Sequence, residues 1–474
     1  MTEPFVVVGG DAAGLSAASK CKREDPDREV VVFERGEWIS YAHCGTPYYV
    51  KGEVEELTDL LSLRPEDVEE RGIDLRRNHE VVSLDSDEDV VTVDGPDGRF
   101  EQPFDDLLVA TGARATAGPI DGHDLDGVFT LHGLDDAAAM RAFLAEPDAV
   151  DPVAVDASYV DRERVRHNAA LQPPESVAIV GGGYVGVEMA EALSAHDLSV
   201  HLFQRPEHLL PPFGEAVAEA IEEHLAEQGV ELHLGASVGF LAGEERVEAV
   251  EYDGASLDVE MAVVGVGIEP NVGLVGGGGV ELGATGAIVN DAYGRTSRNS
   301  VYAAGDCAEA LNVVTGEPDW VPLGLTANRA GRAIGSTVAG SPEPVGGIAG
   351  TAAVKAFELE AARTGLLDED RARDAGFDPV SRTITAGSRS GYYPGAEETT
   401  VVLVADRDSG RLLGGSIVGK DRAAIRIDTV ATALEAGLTV DELMRTDLAY
   451  APPFSPVWDP VLVAAKVLEG ELGG

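Results

Sequence analysis

Cysteine, lysine and long hydrophobic runs are all scarce in this chain of 474 residues. The three cysteines, Cys21, Cys44 and Cys307, are too few and too scattered for a disulfide framework or a cysteine-based metal centre, and we expect no metal site. No apolar run approaches the length of a membrane span, and no charged leader precedes the first apolar run at Phe5. These absences exclude a disulfide-stapled secreted domain and predict a cytoplasmic location.

The charge of the chain is strongly one-sided. It has 84 acidic and 35 basic residues, only six of them lysines, which gives a formal net charge of -49. Such a surface repels itself in dilute buffer and is screened by salt, and it makes nucleic acid and anionic membranes poor partners. Because the acidic residues lie within segments rich in folding motifs, we interpret the charge as the adaptation of a cytosolic protein to high salt.

The first forty residues have the order of a dinucleotide-binding unit. Phe5–Val8 predicts a buried strand, Gly9-Gly-Asp-Ala-Ala-Gly14 a tight turn into a helix, and Val30–Phe33 a second strand. Glu34 follows that strand, twenty residues after Gly14, where a carboxylate can hold an adenosine ribose. The expected contacts of the first dinucleotide are Gly9, Gly10, Ala13, Gly14, Glu34 and Arg35.

The same unit occurs a second time. Residues 177–180 predict a strand that leads into Gly181-Gly-Gly-Tyr-Val-Gly186, a helix, and a strand over residues 199–203. That second strand is followed by Gln204 and Arg205 instead of a carboxylate, which favours the 2′-phosphate of NADPH over NADH unless Arg205 simply faces solvent. The expected contacts of the second dinucleotide are Gly181, Gly183, Tyr184, Gly186, Gln204 and Arg205.

Two further strands end in characteristic turns. Residues 106–110 run into Thr111 and Gly112, and residues 301–304 run into Gly305 and Asp306. In this order around two dinucleotide units, these segments resemble the flavoprotein reductases that bind two dinucleotides. The resemblance implies FAD in the first unit, Asp306 on its ribityl chain, and a helix beginning near residue 322 with its positive end toward the flavin ring. The remaining expected cofactor contacts are Thr111, Gly112, Gly267, Gly305 and Asp306.

Cys44 lies just after the first dinucleotide unit and has no partner cysteine nearby. Paired redox cysteines usually have two or four residues between them, but those positions hold Pro47 and Tyr49 on one side and Tyr41 and Ile39 on the other. The pattern predicts a flavoprotein with one redox-active sulfur, whose oxidised form is a sulfenic acid or a mixed disulfide with a small thiol.

Nucleophilic attack by Cys44 requires a thiolate near neutral pH. Thr46 and Pro47 have the pattern of a helix start, which would place Cys44 at a positive helix end and lower the pKa of its thiol. His43 could add positive charge, although the side chains of neighbouring residues often point apart.

Three segments carry a more specific resemblance, which extends over nearly the whole chain. They read SYAHCGTPY over residues 40–48, YYPG over 392–395 and AYAPPFS over 449–455. With them the chain resembles the coenzyme A disulfide reductases, the single-cysteine branch of the pyridine nucleotide-disulfide oxidoreductases. The resemblance implies a homodimer formed by the C-terminal domain, in which Tyr392 and Tyr450 reach into the active site of the partner. The chain departs from that family at His43, where the family usually has asparagine, and Gly45 follows the cysteine.

These segments divide the chain into three domains of α/β class. We expect an FAD-binding domain over residues 1–115 and 292–341, an NAD(P)H-binding domain over 116–291, and an α+β dimerisation domain over 342–474. Residues 146–174 are polar and punctuated by proline, and we expect an exposed loop without chemistry there.

The substrate implied by the resemblance is coenzyme A disulfide or a similar small disulfide. Ser40 lies in the segment around the sulfur, and Lys20, Arg23 and Arg76 are candidates for coenzyme A phosphates because cations are so rare in this chain. A solvated helix face is the alternative for these basic residues.

Two other functions are compatible with the same motifs. An NAD(P)H oxidase, peroxidase or polysulfide reductase would cycle Cys44 through sulfenic acid. A non-catalytic flavoprotein that senses redox state would also bind both dinucleotides, although no dedicated interaction segment is present.

The charge generates the first prediction. Diluting KCl below about 1 M should abolish activity and unfold the chain, because the repulsion between like charges is then less screened. Circular dichroism and NADPH oxidation, followed across a KCl series, measure the two losses. Full stability in dilute buffer would contradict the high-salt interpretation.

Overall fold

The computed structural model describes residues 3–145 and 160–472. Within these ranges three five-stranded sheets organise the hydrophobic cores, and we call them the first, second and third sheet in chain order. The first two are parallel and covered by helices, and the third is antiparallel. The α/β fold class predicted from the sequence, with two dinucleotide-binding units and a separate C-terminal unit, is confirmed.

The first sheet is built on fully buried apolar strands. The run Phe5–Val8 lies in its centre, as expected of a β-branched sequence buried on both faces. One face is covered by the helices Ala12–Glu24 and Gly324–Val338, and the other by a small antiparallel sheet. In spatial order the strands of the first sheet are Val301–Ala303, Asp106–Val109, Phe5–Val8, Val30–Phe33 and Asp74–Arg76, and those of the small sheet are Glu80–Asp85, Val90–Gly95 and Gly98–Pro103.

The two helices on the first sheet approach each other unusually closely. A Cβ atom on Gly331 would lie 2.1 Å from the carbonyl oxygen of Ala13, and one on Gly335 would lie 2.4 Å from that of Ala17. Glycine at these two positions is therefore required for the backbones to touch, and this contact fixes both helices over the same sheet.

The second sheet is inserted between the strands of the first. The strand Ala113–Ala115 leads out of the first sheet and pairs antiparallel with Ile268–Pro270, which leads back. In spatial order the second sheet has the strands Glu231–Leu234, Ser199–Gln204, Ser176–Val180, Met261–Val264 and Val128–Phe129. Its helices are Leu134–Leu144, Arg162–Ala169, Tyr184–Ser194 and Glu215–Glu227, and a small sheet of Val238–Ala242, Ala249–Tyr252 and Ala255–Asp258 lies against it.

Two features of the insertion differ from the sequence-based expectation. Val275, Val280 and Ile288 pack into the core of the first sheet, so that core reassembles well before residue 292. The region expected to be an exposed loop contains the helix Arg162–Ala169, which is capped by Asp161 and buries Val165; its apolar face is one residue wide, too narrow a signal to read from sequence. Residues 146–159 of that region lie outside the described residues.

The third sheet forms its own core with the C-terminal helices. Its strands are Ala352–Ala356, Leu359–Gly365, Leu412–Gly419, Glu398–Asp406 and Pro379–Gly387 in spatial order, and its helices are Glu369–Asp374, Ile427–Glu435, Val440–Met444 and Pro460–Leu472. The strand Leu412–Gly419 is buried along its whole length between its two neighbours. The remaining elements are the short helices Thr46–Lys51 and Pro65–Glu69, the strand pair Ala310–Leu311 and Pro318–Asp319, and the 3-10 turns His43–Gly45, Leu57–Leu60, Pro211–Phe213, Gly273–Val275 and Ala424–Arg426.

Among the helices of the described ranges, none combines the length and the apolar character that crossing a membrane requires.

Candidate active site

The first glycine loop has the close backbone contacts that its sequence predicts. Gly9 has a φ of +113°, and a Cβ atom there would lie 2.1 Å from the carbonyl oxygen of Ala110. Gly14 lies in the first turn of the helix Ala12–Glu24, and a Cβ atom on Gly14 would lie 1.9 Å from the carbonyl oxygen of Gly9. Glu34 accepts hydrogen bonds from the backbone N–H groups of Gly10 at 2.8 Å and Gly36 at 2.7 Å. The carboxylate expected at the ribose is thus held at the loop by the backbone.

The second glycine loop repeats this geometry with an amide in place of the carboxylate. Gly181 has a φ of +112°, and a Cβ atom on Gly186 would lie 1.8 Å from the carbonyl oxygen of Gly181. Gln204 accepts a hydrogen bond from the Gly182 N–H at 2.9 Å and donates one to the His208 carbonyl at 3.2 Å. Gln204 is therefore used within the protein, whereas Arg205 is exposed and has no ion-pair partner within the described part of the chain.

The helices that begin at these two loops have N-termini suited to phosphate groups. Neither Asp11 nor Gly183, the residues that precede them, caps the first turn with its side chain, and Leu323 leaves the helix Gly324–Val338 uncapped as well. The backbone N–H groups of a first turn have no partner within the helix. Three such helix ends fit the pyrophosphate groups of two dinucleotides and one further electron-rich group.

The other expected cofactor residues surround these helix ends. Thr111 donates a hydrogen bond to the Asn271 carbonyl at 2.6 Å. Burial raises the pKa of Asp306, the charge of His43 opposes this shift, and that of Asp11 adds to it. Three of the expected glycines have a positive φ, which is +64° at Gly112, +147° at Gly267 and +81° at Gly305. Ala13 is buried beside Gly305, and Arg35 is exposed. The ring of Tyr184 packs edge-on against that of Phe213, with 5.5 Å between the ring centres.

Cys44 lies in the 3-10 turn His43–Gly45, directly before the helix Thr46–Lys51. Its side chain is exposed, whereas Cys21 and Cys307 are buried in the cores on the two faces of the first sheet. Thr46 fixes the turn by donating its hydroxyl to the His43 carbonyl at 2.7 Å. The helix start predicted from Thr46 and Pro47 is confirmed.

The predicted lowering of the Cys44 pKa is wrong. Partial burial disfavours the thiolate, and the carboxylates of Glu188 and Asp306 repel it, so the pKa of Cys44 is raised. The helix whose start was expected to lower the pKa has only six residues.

His43 connects the sulfur turn to the first glycine loop. Its Nε2 atom lies 2.6 Å from a carboxylate oxygen of Asp11, and its Nδ1 atom lies 3.0 Å from the carbonyl oxygen of His132. Both partners are acceptors, so both ring nitrogens donate, which requires the protonated imidazolium. Burial alone would lower the pKa of His43, but the bond and the charge of Asp11 outweigh it and raise the pKa. His43 is therefore directed at Asp11.

Glu188 and Tyr48 are site residues that the sequence analysis did not identify. Tyr48 donates a hydrogen bond to Glu188 at 3.3 Å, which joins the helix after Cys44 to the second glycine helix. Burial raises the pKa of Glu188 to about 7. A carboxylate inside the otherwise apolar segment 185–190 was the signal that could have indicated this role.

Tyr392 and Tyr450 lie in loops of the third sheet, and their side chains are 80% and 61% exposed. Within the described ranges neither hydroxyl has a hydrogen-bond partner. Phe454, Val457 and Trp458 are exposed as well, so this surface is unusually rich in large apolar side chains. Ion pairs hold the loops beneath it, with Arg389 bonded to Asp421 at 2.5 Å and Arg426 to Asp459 at 3.0 Å.

The basic residues proposed for coenzyme A are not gathered at the sulfur. Lys20 pairs with Glu24 at 2.5 Å, and Arg76 pairs with Asp74 at 2.6 Å. Lys20 and Arg23 lie about 13 and 18 Å along the first helix from Asp11, because a helix rises about 1.5 Å per residue. Ser40 lies closer to the glycine loop, and its backbone N–H donates to the Gly10 carbonyl at 3.1 Å.

Family models match both parts of the chain. The model described as pyridine nucleotide-disulphide oxidoreductase matches residues 3–330, and that of the dimerisation domain of the same family matches residues 351–460. These matches agree with the two parallel sheets and the antiparallel third sheet.

Similar proteins extend over the whole chain. An NAD(P)H coenzyme A polysulfide/persulfide reductase from Pyrococcus horikoshii is 40% identical over 99% of both chains, and a coenzyme A disulfide reductase from Staphylococcus haemolyticus is 29% identical over 95% of this chain and 96% of that one. Among solved structures, an NAD-dependent persulfide reductase from A. fulgidus is 33% identical with a TM-score of 0.90, covering 99% of this chain and 84% of that one. An engineered water-forming NADPH oxidase bound to NADPH is 25% identical with a TM-score of 0.89, covering 99% of both chains.

The repulsion between the carboxylate of Glu188 and the thiolate of Cys44 generates a prediction. Glu188→Gln should lower the pKa of Cys44, because it removes a carboxylate that repels the thiolate. We expect iodoacetamide to alkylate Cys44 severalfold faster at about pH 8, above the pKa of Glu188, as measured by mass spectrometry of the labelled peptide.

Glu53→Gln is the matched control, since Glu53 is an exposed carboxylate that pairs with Lys51 at the end of the same short helix. Its alkylation rate should equal that of the wild type. Identical pH profiles for Glu188→Gln and the wild type would show that Glu188 does not act on the sulfur.

Proposed function

The chain belongs to the pyridine nucleotide-disulphide oxidoreductase family, and from this premise we propose that it uses NADPH, through FAD, to reduce the sulfur–sulfur bond of coenzyme A disulfide at Cys44. The observation that carries the proposal is the isolation of Cys44. It is exposed, while the other two cysteines are buried in the cores on the two faces of the first sheet. A lone sulfur cannot form an internal disulfide, so it exchanges with the sulfur of a small substrate.

The protein residues account for the steps at the sulfur. The Cys44 thiolate attacks one sulfur of the disulfide, forms a mixed disulfide with coenzyme A and releases the other coenzyme A as a thiolate. The mixed disulfide would then be cleaved, and the second thiol released, by the two electrons that FAD and NADPH would supply when bound at the two glycine loops. Glu188, with a pKa of about 7, is the carboxyl group near the sulfur that can give or take a proton at neutral pH.

The exposed surface around Tyr392 and Tyr450 belongs to the same proposal, as the surface between two copies of the chain. The exposed Tyr392 and Tyr450 have hydroxyl groups with no partner in the described part of their own chain, and large apolar side chains surround them. Burial of this surface against a second copy would place both hydroxyls where they could bond a leaving thiolate.

A second candidate function is the reduction of a coenzyme A persulfide or a polysulfide. It is favoured by the relative at 40% identity, which is named a coenzyme A polysulfide/persulfide reductase. With the coenzyme A persulfide, the same Cys44 chemistry would yield one coenzyme A thiol and one hydrogen sulfide for each NADPH.

The two substrates are distinguished by their products. In molar KCl, coenzyme A disulfide should yield two thiols per NADPH and no sulfide, and we expect its kcat/KM to exceed those of coenzyme A persulfide, polysulfide, oxygen and peroxide. A higher value for the persulfide would support the second candidate. Fastest turnover with oxygen or peroxide would instead indicate an oxidase or peroxidase, and negligible turnover with every acceptor a redox sensor.

Cys44→Ser should reduce disulfide turnover to a few per cent of the wild type or less, because a hydroxyl cannot form the mixed disulfide. Bound FAD and the fold should be retained, as measured by flavin absorbance and circular dichroism. Cys21→Ala is the matched control, since Cys21 is buried in the first helix, and its turnover should be near wild type. Substantial activity in Cys44→Ser would rule out the single-sulfur mechanism.

The preference for NADPH is supported by Arg205, which is exposed and has no ion-pair partner within the described residues. The substitutions in the engineered NADPH oxidase include an aspartate replaced by alanine and the adjacent alanine replaced by arginine. The result is a neutral residue followed by a cation, as at Gln204 and Arg205 in this chain. An arginine can bond the 2′-phosphate with paired, charge-assisted hydrogen bonds.

Arg205→Ala should raise the KM for NADPH about tenfold and leave that for NADH nearly unchanged, because one charge-assisted bond contributes about 1.5–3 kcal/mol. The effect should shrink as KCl rises. Steady-state kinetics with both nucleotides measure it, and Arg445→Ala, which removes an exposed arginine of the C-terminal region, is the control for total charge. Equal losses with NADH and NADPH would contradict the role of Arg205.

A further inference from the structure

Three side chains of the kinds that bind metals converge on one edge of the second sheet. His201 lies on the strand Ser199–Gln204, and Glu231 and His233 lie on the neighbouring edge strand Glu231–Leu234. In the parallel register His201 is opposite Glu231, and Phe203 is opposite His233. Because side chains alternate along a strand, all of them point to the same face of the sheet. One ligand atom from each of the three lies within 4.8 Å of the other two.

The distances within this cluster match those around a tetrahedral ion. The Nδ1 atom of His201 lies 3.4 Å from Nε2 of His233 and 3.4 Å from a carboxylate oxygen of Glu231. Two ligand atoms that each lie about 2.0–2.1 Å from a tetrahedral Zn²⁺ ion are about 3.4 Å apart.

The surrounding residues orient the two imidazoles as ligands. Ser199 lies 3.3 Å from Nε2 of His201, so its hydroxyl oxygen can accept the Nε2–H and leave Nδ1 with a free lone pair. The ring of His233 stacks on Phe203 at 4.2 Å and meets the edge of Tyr252 at 5.4 Å, which fixes its plane.

We propose that His201, Glu231 and His233 bind one divalent transition-metal ion of the Zn²⁺ class. Two imidazoles and one carboxylate suit Zn²⁺, Co²⁺ or Ni²⁺, whereas Mg²⁺ and Ca²⁺ prefer oxygen ligands. Three protein ligands leave one position for water. His201 is buried and Glu231 is exposed, so an ion reaches the site from solvent.

The site would fasten the edge strand of the second sheet to its neighbour. An ion bound only by the folded chain stabilises that state, and here it would bridge two adjacent strands. None of its ligands belongs to the glycine loops or to the sulfur turn, so the proposal is independent of the proposed reaction. The expectation of no metal site rested on the cysteine count, which does not register histidines separated by about thirty residues.

The test uses the holoenzyme in molar KCl, freed of metal with a chelator and then titrated with Co²⁺. We expect one Co²⁺ per chain and the intense visible absorption bands of a tetrahedral Co²⁺ site. His233→Gln should lose these bands and bind Co²⁺ more than about tenfold more weakly. Glu231→Gln, an exposed position whose replacement leaves the core intact, should weaken binding as well and provides a test if His233→Gln fails to fold.

The matched control is His167→Gln, which removes an exposed imidazole paired with the single carboxylate of Asp126. It should bind Co²⁺ like the wild type. Equal affinity in the wild type, His233→Gln and Glu231→Gln would assign any binding to the acidic surface in general and overturn the proposal. Failure of the wild type to bind Co²⁺ would overturn it too.

Discussion

A single buried carboxylate, that of Glu191, joins the three parts of the fold to one another. It accepts hydrogen bonds from Lys51 at 2.7 Å, from Lys355 at 2.6 Å and from the backbone N–H of Phe357 at 2.8 Å. Burial alone would raise its pKa, but these partners outweigh burial and lower it. Lys51 ends the helix that follows Cys44, Glu191 lies on the second glycine helix, and Lys355 belongs to the third sheet.

This arrangement determines the chemical setting of the sulfur. Glu188 lies one turn before Glu191 on the same helix, and its hydrogen bond with Tyr48 joins it to the helix that follows Cys44. Two of the six lysines in the chain neutralise Glu191, and none is bonded to Glu188 within the described residues. The excess of acidic residues in the whole chain is therefore also found near Cys44, where the carboxylates of Glu188 and Asp306 repel the thiolate. The environment of Cys44 is accordingly acidic, in contrast to the positive helix end that the local sequence indicated.

The difference between the expected and the observed environment of Cys44 shows which parts of the fold can be predicted from short stretches of sequence. Both glycine loops and their strands were predictable, because turn, helix and strand signals lie within about thirty consecutive residues. The contact of His43 with Asp11 joins side chains 32 residues apart, and that of Tyr48 with Glu188 joins side chains 140 residues apart. Such contacts arise only when separate elements pack, so neither the direction of the Cys44 pKa nor the role of Glu188 could be read from spacing. The early return of the chain to the first sheet at Val275 was missed for the same reason.

The insertion of the second sheet into the first has a consequence for biosynthesis. The first sheet receives its last strand, Val301–Ala303, and its covering helix, Gly324–Val338, only after the strands of the second sheet have left the ribosome. The second sheet can therefore complete its pairing while the first still lacks an edge strand and one of its two covering helices. Domains generally fold in the order of their synthesis. Here the unit that begins first in the chain is assembled later than the one it encloses.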